Sequence, residues 1–249
     1  MQNPRPDAVF GLHVTSRLPV GVIGYRPGPT MASADSLKIT VRGSQTHGAM
    51  PWFGVDPIVT SAQVVMGLQT VVSRQIDLTQ EPAVVTIGTI HGGLRQNIIP
   101  DEVQMTGTIR TFDPAMRQRI FDDLKSVATH VAAAHGATVE ARVPDGDGNP
   151  VTYNDPALTA RMLPSLQAVA GTANVVEPSL QMGAEDYSFF AREVPSMYFF
   201  VGATAKGIDP VTAPSNHSPQ FTLDESALDL GLRALLQVTL DYLHGGAPG

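Results

Sequence analysis

The chain has 249 residues, 43% hydrophobic and 16% charged, a length and balance that suit one large globular domain or two smaller ones with a sizeable core. Sixteen basic against 23 acidic residues give a formal charge of −7, and no lysine- or arginine-rich run occurs, so nucleic acid is excluded as an expected partner and small molecules are favoured. The lack of cysteine excludes disulfides and thiolate ligands or nucleophiles, and with no apolar run near the roughly 18 residues of a membrane span and no signal-like start, a cytoplasmic protein without a membrane partner is expected.

Ala8-Val9-Phe10-Gly11-Leu12-His13-Val14 is almost continuously apolar, the pattern of a strand buried on both faces. Turn-rich stretches follow, Leu18-Pro19-Val20-Gly21 and Arg26-Pro27-Gly28-Pro29, and the pattern shifts at Ala32-Ser33-Ala34-Asp35, where a boundary is expected.

From Ser36 to about Val143 the pattern is regular. Residues 37–43 alternate at period two, which predicts a strand with one wet face. Asp56-Pro57 opens a helix, because aspartate caps free N–H groups and proline fits the first turn. Ile58, Ala62, Val65, Leu68 and Val72 give that helix an apolar stripe. Strands over residues 83–90 and 102–110 come next, joined by a loop with Gly92-Gly93. A second helix starts at Asp113-Pro114, carries Met116, Ile120, Leu124, Val127 and Val131 on one face, and stops near His135-Gly136. Residues 138–143 close the unit as a strand. The order βαββαβ predicts a ferredoxin-like antiparallel sheet with both helices on one face.

Beyond Pro144 to Pro150 the pattern changes again. Residues 156–170 read as a helix, Gly183-Ala184-Glu185-Asp186 opens a short one through Phe190, and residues 197–201 read as a buried strand. Leu223-Asp224-Glu225 caps a last helix whose apolar face is Ala227, Leu230, Ala234, Val238 and Leu240 to Tyr242. Residues 1–32 and 144–249 therefore read as two segments of one α/β domain, with residues 33–143 inserted between them.

Eight stretches, in order, carry a resemblance: Gly11-Leu12-His13; Arg26-Pro27-Gly28-Pro29 with Met31-Ala32-Ser33-Ala34-Asp35; Thr46-His47-Gly48-Ala49-Met50-Pro51; Asp56-Pro57-Ile58; Asn97-Ile98-Ile99-Pro100; Gly107-Thr108-Ile109-Arg110-Thr111-Phe112; Met182-Gly183-Ala184-Glu185-Asp186-Tyr187; and His217-Ser218-Pro219-Gln220-Phe221. Over its whole length the chain resembles the co-catalytic zinc amidohydrolase and metallopeptidase family of hippurate hydrolases, aminoacylases, auxin-conjugate hydrolases and related carboxypeptidases. The resemblance implies a catalytic α/β domain holding two divalent ions, zinc or manganese, and an inserted lid that often forms a homodimer contact.

By the same resemblance His13 and His217 match metal ligands, chemistry that suits neutral imidazole. Taken singly, each would read as a surface or hydrogen-bonded core histidine. His47 matches the lid histidine that steadies the oxyanion of amide hydrolysis, sometimes across a dimer; its plain alternative is a turn residue. Asn97 and Arg110 match positions that hold the substrate carboxylate or its neighbouring carbonyl, although an arginine at a strand end is commonly just solvated. Glu185-Asp186 reads as helix-capping charge with a possible supporting role beside a ligand. His91, His130, His135 and His244 read as ordinary surface histidines.

The family also carries, upstream of the Gly-Leu-His strand, a His-x-Asp segment, a Cys-Gly-His-Asp segment and a Glu-Glu pair. None occurs here, and Asp7 is the sole acid before His13. An incomplete catalytic domain lacking its N-terminal part is expected, with exposed sheet edge and apolar surface and little or no hydrolytic activity by itself. The implied activity is metal-dependent cleavage of the amide bond of a small N-acyl amino acid, hippurate-like. The alternative is a non-catalytic remnant acting as a dimerisation or binding module.

Overall fold

The computed structural model describes residues 3–245. The chain forms two compact units, one of Met1–Met31, Thr152–Gln181 and Glu185–Gly249, the other of Ala32–Val151 with Met182–Ala184. The first unit opens with β1 (Val9–Pro19), β2 (Ile23–Gly24) and β3 (Gly28–Met31). The second contributes β4 (Asp35–Arg42), β5 (Thr46–His47), α1 (Pro57–Thr70), β6 (Val84–Gly92), β7 (Ile98–Ile99), β8 (Glu102–Arg110), α2 (Pro114–Ala134) and β9 (Thr138–Arg142). The chain then returns to the first unit through β10 (Thr152–Asn154), α3 (Pro156–Ala170), β11 (Val175–Val176), α4 (Ser188–Ala191), β12 (Ser196–Thr204) and α5 (Ser226–Leu243). Among the described residues no helix is long and apolar enough to cross a membrane.

In the second unit the main sheet has the order β6-β8-β4-β9, every pair antiparallel, which is the ferredoxin-like arrangement. Its core joins Leu37, Ile39 and Val41 of β4 and Val103, Met105 and Ile109 of β8 to Val64 and Leu68 of α1 and Ile120, Leu124 and Ala128 of α2. Both helices start as their sequences predict. Asp56 accepts the N–H groups of Ile58 and Val59, and Asp113 that of Met116, each with proline in the first turn. Gly136, at φ +73°, takes the left-handed conformation that ends α2.

The stripe expected on α1 is corrected. Ile58 and Ala62 are exposed, and the buried face is Pro57, Thr60, Ser61, Val64 and Leu68. This helix is apolar nearly all round, so spacing alone offers several stripes. Thr60 can turn inward because its hydroxyl donates to Asp56 O at 2.7 Å. The far boundary also differs from residue 143. Asp145 N donates to Ser36 O, and Asn149 pairs with Ala34, so residues 144–151 stay with the second unit.

In the first unit the sheet order is β1-β12-β2-β11. β1 and β12 run parallel, with Val9 opposite Ser196, Gly11 opposite Tyr198, His13 opposite Phe200 and Thr15 opposite Gly202. All of β12 is buried, as its unbroken apolar run predicts. One face is covered by α3 and α5, where Leu158, Met162 and Leu166 meet Ala227, Leu230, Ala234 and Val238 across Met197, Phe199 and Val201. Leu240, expected in that apolar face, is exposed, and Asp241 takes the inward position. Leu228, Leu232, Leu236, Leu240 and Leu243 together form an exposed ladder. Among the described residues β1 pairs along one edge only, so the unit presents both an open strand edge and uncovered leucines.

Candidate functional site

In the first unit, β1 carries His13 at the register of Phe200. Two residues earlier, Gly11 passes beneath two rings: a Cβ there would lie 2.7 Å from Tyr187 Cε2 and 2.9 Å from Tyr198 Cδ2. Glycine is what admits this approach. His13 is half-buried and its Nδ1–H donates to Val14 O. That bond fixes the tautomer and leaves the Nε2 lone pair available to a cation. The same carbonyl accepts Asn216 Nδ2–H at 2.7 Å, while Asn216 Oδ1 accepts Ser16 N–H at 3.0 Å. Asn216 thus stitches the chain next to the exposed His217 onto β1, alongside residues 14–16.

The donors therefore suit a divalent ion, but they are few. Among the described residues no group of three or more His, Cys, Asp or Glu side chains could hold a metal ion. His13 offers one free imidazole nitrogen, and the described donors do not close a metal site by themselves.

The two rings over Gly11 are buried and each hydroxyl is bonded. Tyr187 O–H donates to Val9 O at 2.6 Å, and Tyr198 O–H donates to Glu185 Oε2 at 2.9 Å. Glu185 is therefore not the helix cap that the sequence suggests: α4 has no side-chain cap, and the carboxylate serves Tyr198 and the Asp186 N–H instead. Burial pushes both phenols well above the ordinary tyrosine range, and the hydrogen bond and charge of Glu185 push Tyr198 further. The folded chain keeps them neutral where an unfolded tyrosine ionises, near pH 10. Their stabilising contribution is complete below about pH 10 and is lost as the pH climbs toward the folded values. The urea midpoint is expected to fall above pH 10, less steeply in Tyr198→Phe. Equal slopes for the two proteins would contradict this.

In the second unit, β5 and β7 pair so that Thr46 lies opposite Ile99 and His47 opposite Ile98. Gly48 N–H then donates to Asn97 O at 2.8 Å. A Cβ on Gly48 would lie 3.1 Å from that carbonyl, so glycine permits the close crossing. His47 and Asn97 are both exposed and share one end of the unit. His47 Nδ1 accepts Ala49 N–H at 3.0 Å, which places the proton of the neutral ring on Nε2, the opposite tautomer to His13.

Arg110 is not brought to them. It ends β8, opposite Val84, with Nη1 donating to Thr108 Oγ1 and Ile109 O. Glu102, at the other end of β8, follows Asn97 closely in sequence. Eight residues of strand at about 3.3 Å each separate Glu102 from Arg110, roughly 26 Å.

His130 and His91 lie on the exposed surface of α2 and β6, and His135 and His244 sit at the C-caps of α2 and α5, consistent with ordinary surface histidines. Sequence reasoning missed Asn216, although its adjacency to His217 was a usable signal. It also missed Arg17, which lies past the register shift that follows Thr15, where strand period no longer marks a face.

The family model described as peptidase family M20/M25/M40 matches residues 1–241. Thermostable carboxypeptidase 2 of Saccharolobus solfataricus is 39% identical over 228 residues, covering 92% of this chain and 56% of that protein. N-acetyl-L-cysteine deacetylase of Bacillus subtilis is 34% identical over 222 residues, covering 89% of this chain and 50% of that protein. Among solved structures, the YXEP protein of Bacillus subtilis, a dinuclear metal binding peptidase from the M20 family, matches with a TM-score of 0.72 at 29% identity, covering 96% of this chain and 58% of that one. The chain spans about half the length of the curated relatives it matches.

Proposed function

We propose that this chain, which belongs to peptidase family M20/M25/M40, carries part of a metal-dependent amidohydrolase that cleaves the amide bond of N-acyl amino acids or similar small conjugates, hippurate-like substrates included. The observation that carries this reading is the pair of opposite tautomers. Hydrogen bonds from neighbouring backbone leave His13 with a free Nε2 lone pair and His47 with an Nε2–H donor, one suited to a cation and the other to a developing oxyanion. A bound pair of zinc or manganese ions would supply an acidified water and polarise the amide carbonyl. The chain's own part is to offer His13 and His217 as donors, steady the carbonyl oxygen from His47, and hold the carboxylate or neighbouring carbonyl with Asn97 and Arg110. N-acetyl-L-cysteine, named for one relative's activity, has both the amide and the carboxylate this arrangement would read.

The roughly 26 Å along β8 is too far for Arg110 and the His47–Asn97 pair of one chain to grip one small molecule. We therefore assign the two ends of the inserted unit to two substrates in a homodimer, the inserted unit acting as lid and contact. The surface supports this: Trp52 and Phe53, just beyond His47, are 71% and 72% exposed, and Ile58, Val59 and Met66 of α1 are also uncovered. Exchanging Trp52 and Phe53 for serine is expected to weaken self-association at least tenfold, as read by sedimentation equilibrium, because buried aromatics dominate such contacts. An unchanged dimer constant would remove this surface from the interface.

The hydrolase reading is tested by joining the chain to the part of carboxypeptidase 2 that it does not span and assaying N-acetyl-L-cysteine and hippurate. Metal-dependent release of the amino acid, abolished by His217→Ala, is the expected result. The absence of a three-donor group among the described residues favours a second reading, a binding or dimerisation module without chemistry. A folded fusion that loads metal and shows no turnover would establish that one instead.

A further inference from the structure

A cavity of about 400 Å³ opens beside the end of β1, lined by Thr15, Arg17, Leu18, Pro178, Phe200 and Val211 among others. Its place relative to His13 follows from strand geometry. Side chains alternate faces along β1 as far as Thr15, so His13 and Thr15 share one, and Phe200, which lines the cavity with Thr15, is the register partner of His13. The opposite face, with Leu12, is occupied by the packing of α3 and α5. The register between β1 and β12 shifts after Thr15, and the opening lies where the strands part.

Arg17 is the charged group of this cavity, and it is held in place. Its Nη1 donates to Pro210 O at 3.2 Å and Val211 O at 2.8 Å, and its backbone N–H donates to Thr15 Oγ1 at 3.1 Å. Among the described residues Nε and Nη2 make no hydrogen bond and no carboxylate pairs with Arg17. Asp209, the acid on the neighbouring loop, spends its Oδ1 on Val211 N–H. A guanidinium anchored through one nitrogen, with two N–H edges left over, in a chain of net charge −7, is an arrangement for an anion brought from outside. Of the remaining lining, Leu18, Pro178, Phe200 and Val211 offer apolar walls, and Ser179 and Gln181 add a polar edge.

We propose that this cavity is a recognition pocket for the amino-acid part of the substrate, with Arg17 gripping its carboxylate and the walls taking an apolar side chain. The ligand class is an N-acyl amino acid with a free carboxylate and a side chain the size of leucine or phenylalanine. The inference rests on the amidohydrolase reading for the kind of ligand, while its geometry is independent of any metal. It gives the first unit a specificity residue of its own and leaves the neighbouring carbonyl to Asn97 and Arg110.

The test is binding, not turnover. N-acetyl-L-leucine and its neutral analogue N-acetyl-L-leucinamide are titrated into the full chain without metal, followed by amide chemical shifts. The acid is expected to perturb Thr15, Leu18 and Phe200 and to bind roughly ten- to a hundredfold more tightly than the amide, the scale of a charge-assisted pair. Arg17→Gln, which can keep a donor to the Pro210–Val211 carbonyls, removes that preference, and Arg17→Lys, which keeps the charge and loses the fork, falls between. Equal binding of acid and amide overturns the proposal, as does no saturable binding of the acid, an unaffected Arg17→Gln, or shifts confined to Asn97 and Arg110. Hydrolysis by the fused protein with acid and amide bound alike would sink the pocket and leave the amidohydrolase standing. A pocket that discriminates in a protein without turnover would do the reverse.

Discussion

Replacing Asp35 by alanine is expected to destabilise the second unit by about 3 kcal/mol or somewhat more, the range for removing one partner of a buried ion pair. Its side chain has no solvent exposure, and it receives Arg117 in a fork, Nε to Oδ2 at 2.8 Å and Nη2 to Oδ1. The pair fastens the first residue of β4 to the first turn of α2, and the guanidinium also stacks 5.3 Å from the centroid of Phe121. Gly148 backs onto the carboxylate so closely that a Cβ there would fall 2.1 Å from Asp35 Oδ1, so alanine at 35 leaves a void beside a stranded cation. Arg117 is 21% exposed and recovers part of its hydration, which sets the expectation at the lower end of the range. Asp35→Asn keeps the shape and loses the charge, for a smaller loss of about 1–3 kcal/mol. Urea unfolding, with hydrogen exchange of the β4 and α2 amides, measures both. A loss below about 1 kcal/mol for Asp35→Ala would show that the pair behaves as a surface bridge.

That pair was invisible in the sequence, and the reason is general to this chain. What was legible is what neighbouring residues decide. Asp56-Pro57 and Asp113-Pro114 carry their own caps, α3 spans the residues its pattern marks, and β12 declares its burial by an unbroken apolar run. Where several local solutions exist, tertiary packing chooses. α1 could bury more than one stripe, and α5 turns Asp241 inward and Leu240 outward. β1 runs on through the polar Thr15-Ser16-Arg17 because β12 continues beside it, a fact held by residues nearly 200 positions away.

The candidate site divides the same way. His13, His47 and His217 stood out because each sits in a short motif. Asn216 and Arg17 carry no motif: Asn216 is placed by bonding to β1, and Arg17 by the Pro210 and Val211 carbonyls that hold it. Glu185 looked like a cap because local charge at a helix start usually is one, yet Tyr198 claims it across the fold.

The 249-residue chain by itself is expected to bind a divalent ion weakly and to turn over no substrate. A closed four-ligand zinc site is worth about 10–16 kcal/mol. Two imidazoles supply roughly half of that, which corresponds to a dissociation constant between about 1 µM and 0.2 mM. His217→Ala leaves a single donor, so saturable binding should disappear. Asn216→Ala removes no ligand but frees the chain beside His217 from Val14 and Ser16, so it should weaken binding severalfold through lost preorganisation. Calorimetric titration with zinc and manganese distinguishes these cases, and hydrolysis of N-acetyl-L-cysteine by the metal-saturated chain should match that of metal in buffer alone. His47 can stabilise an oxyanion only once a nucleophile has made one, and no carboxylate stands among the described residues with His13 and His217 in a three-donor group from which to activate water. Tight binding of two ions with turnover by this chain would therefore mean that donors are recruited from elsewhere, and the first place to look would be a second copy seated on the open edge of β1.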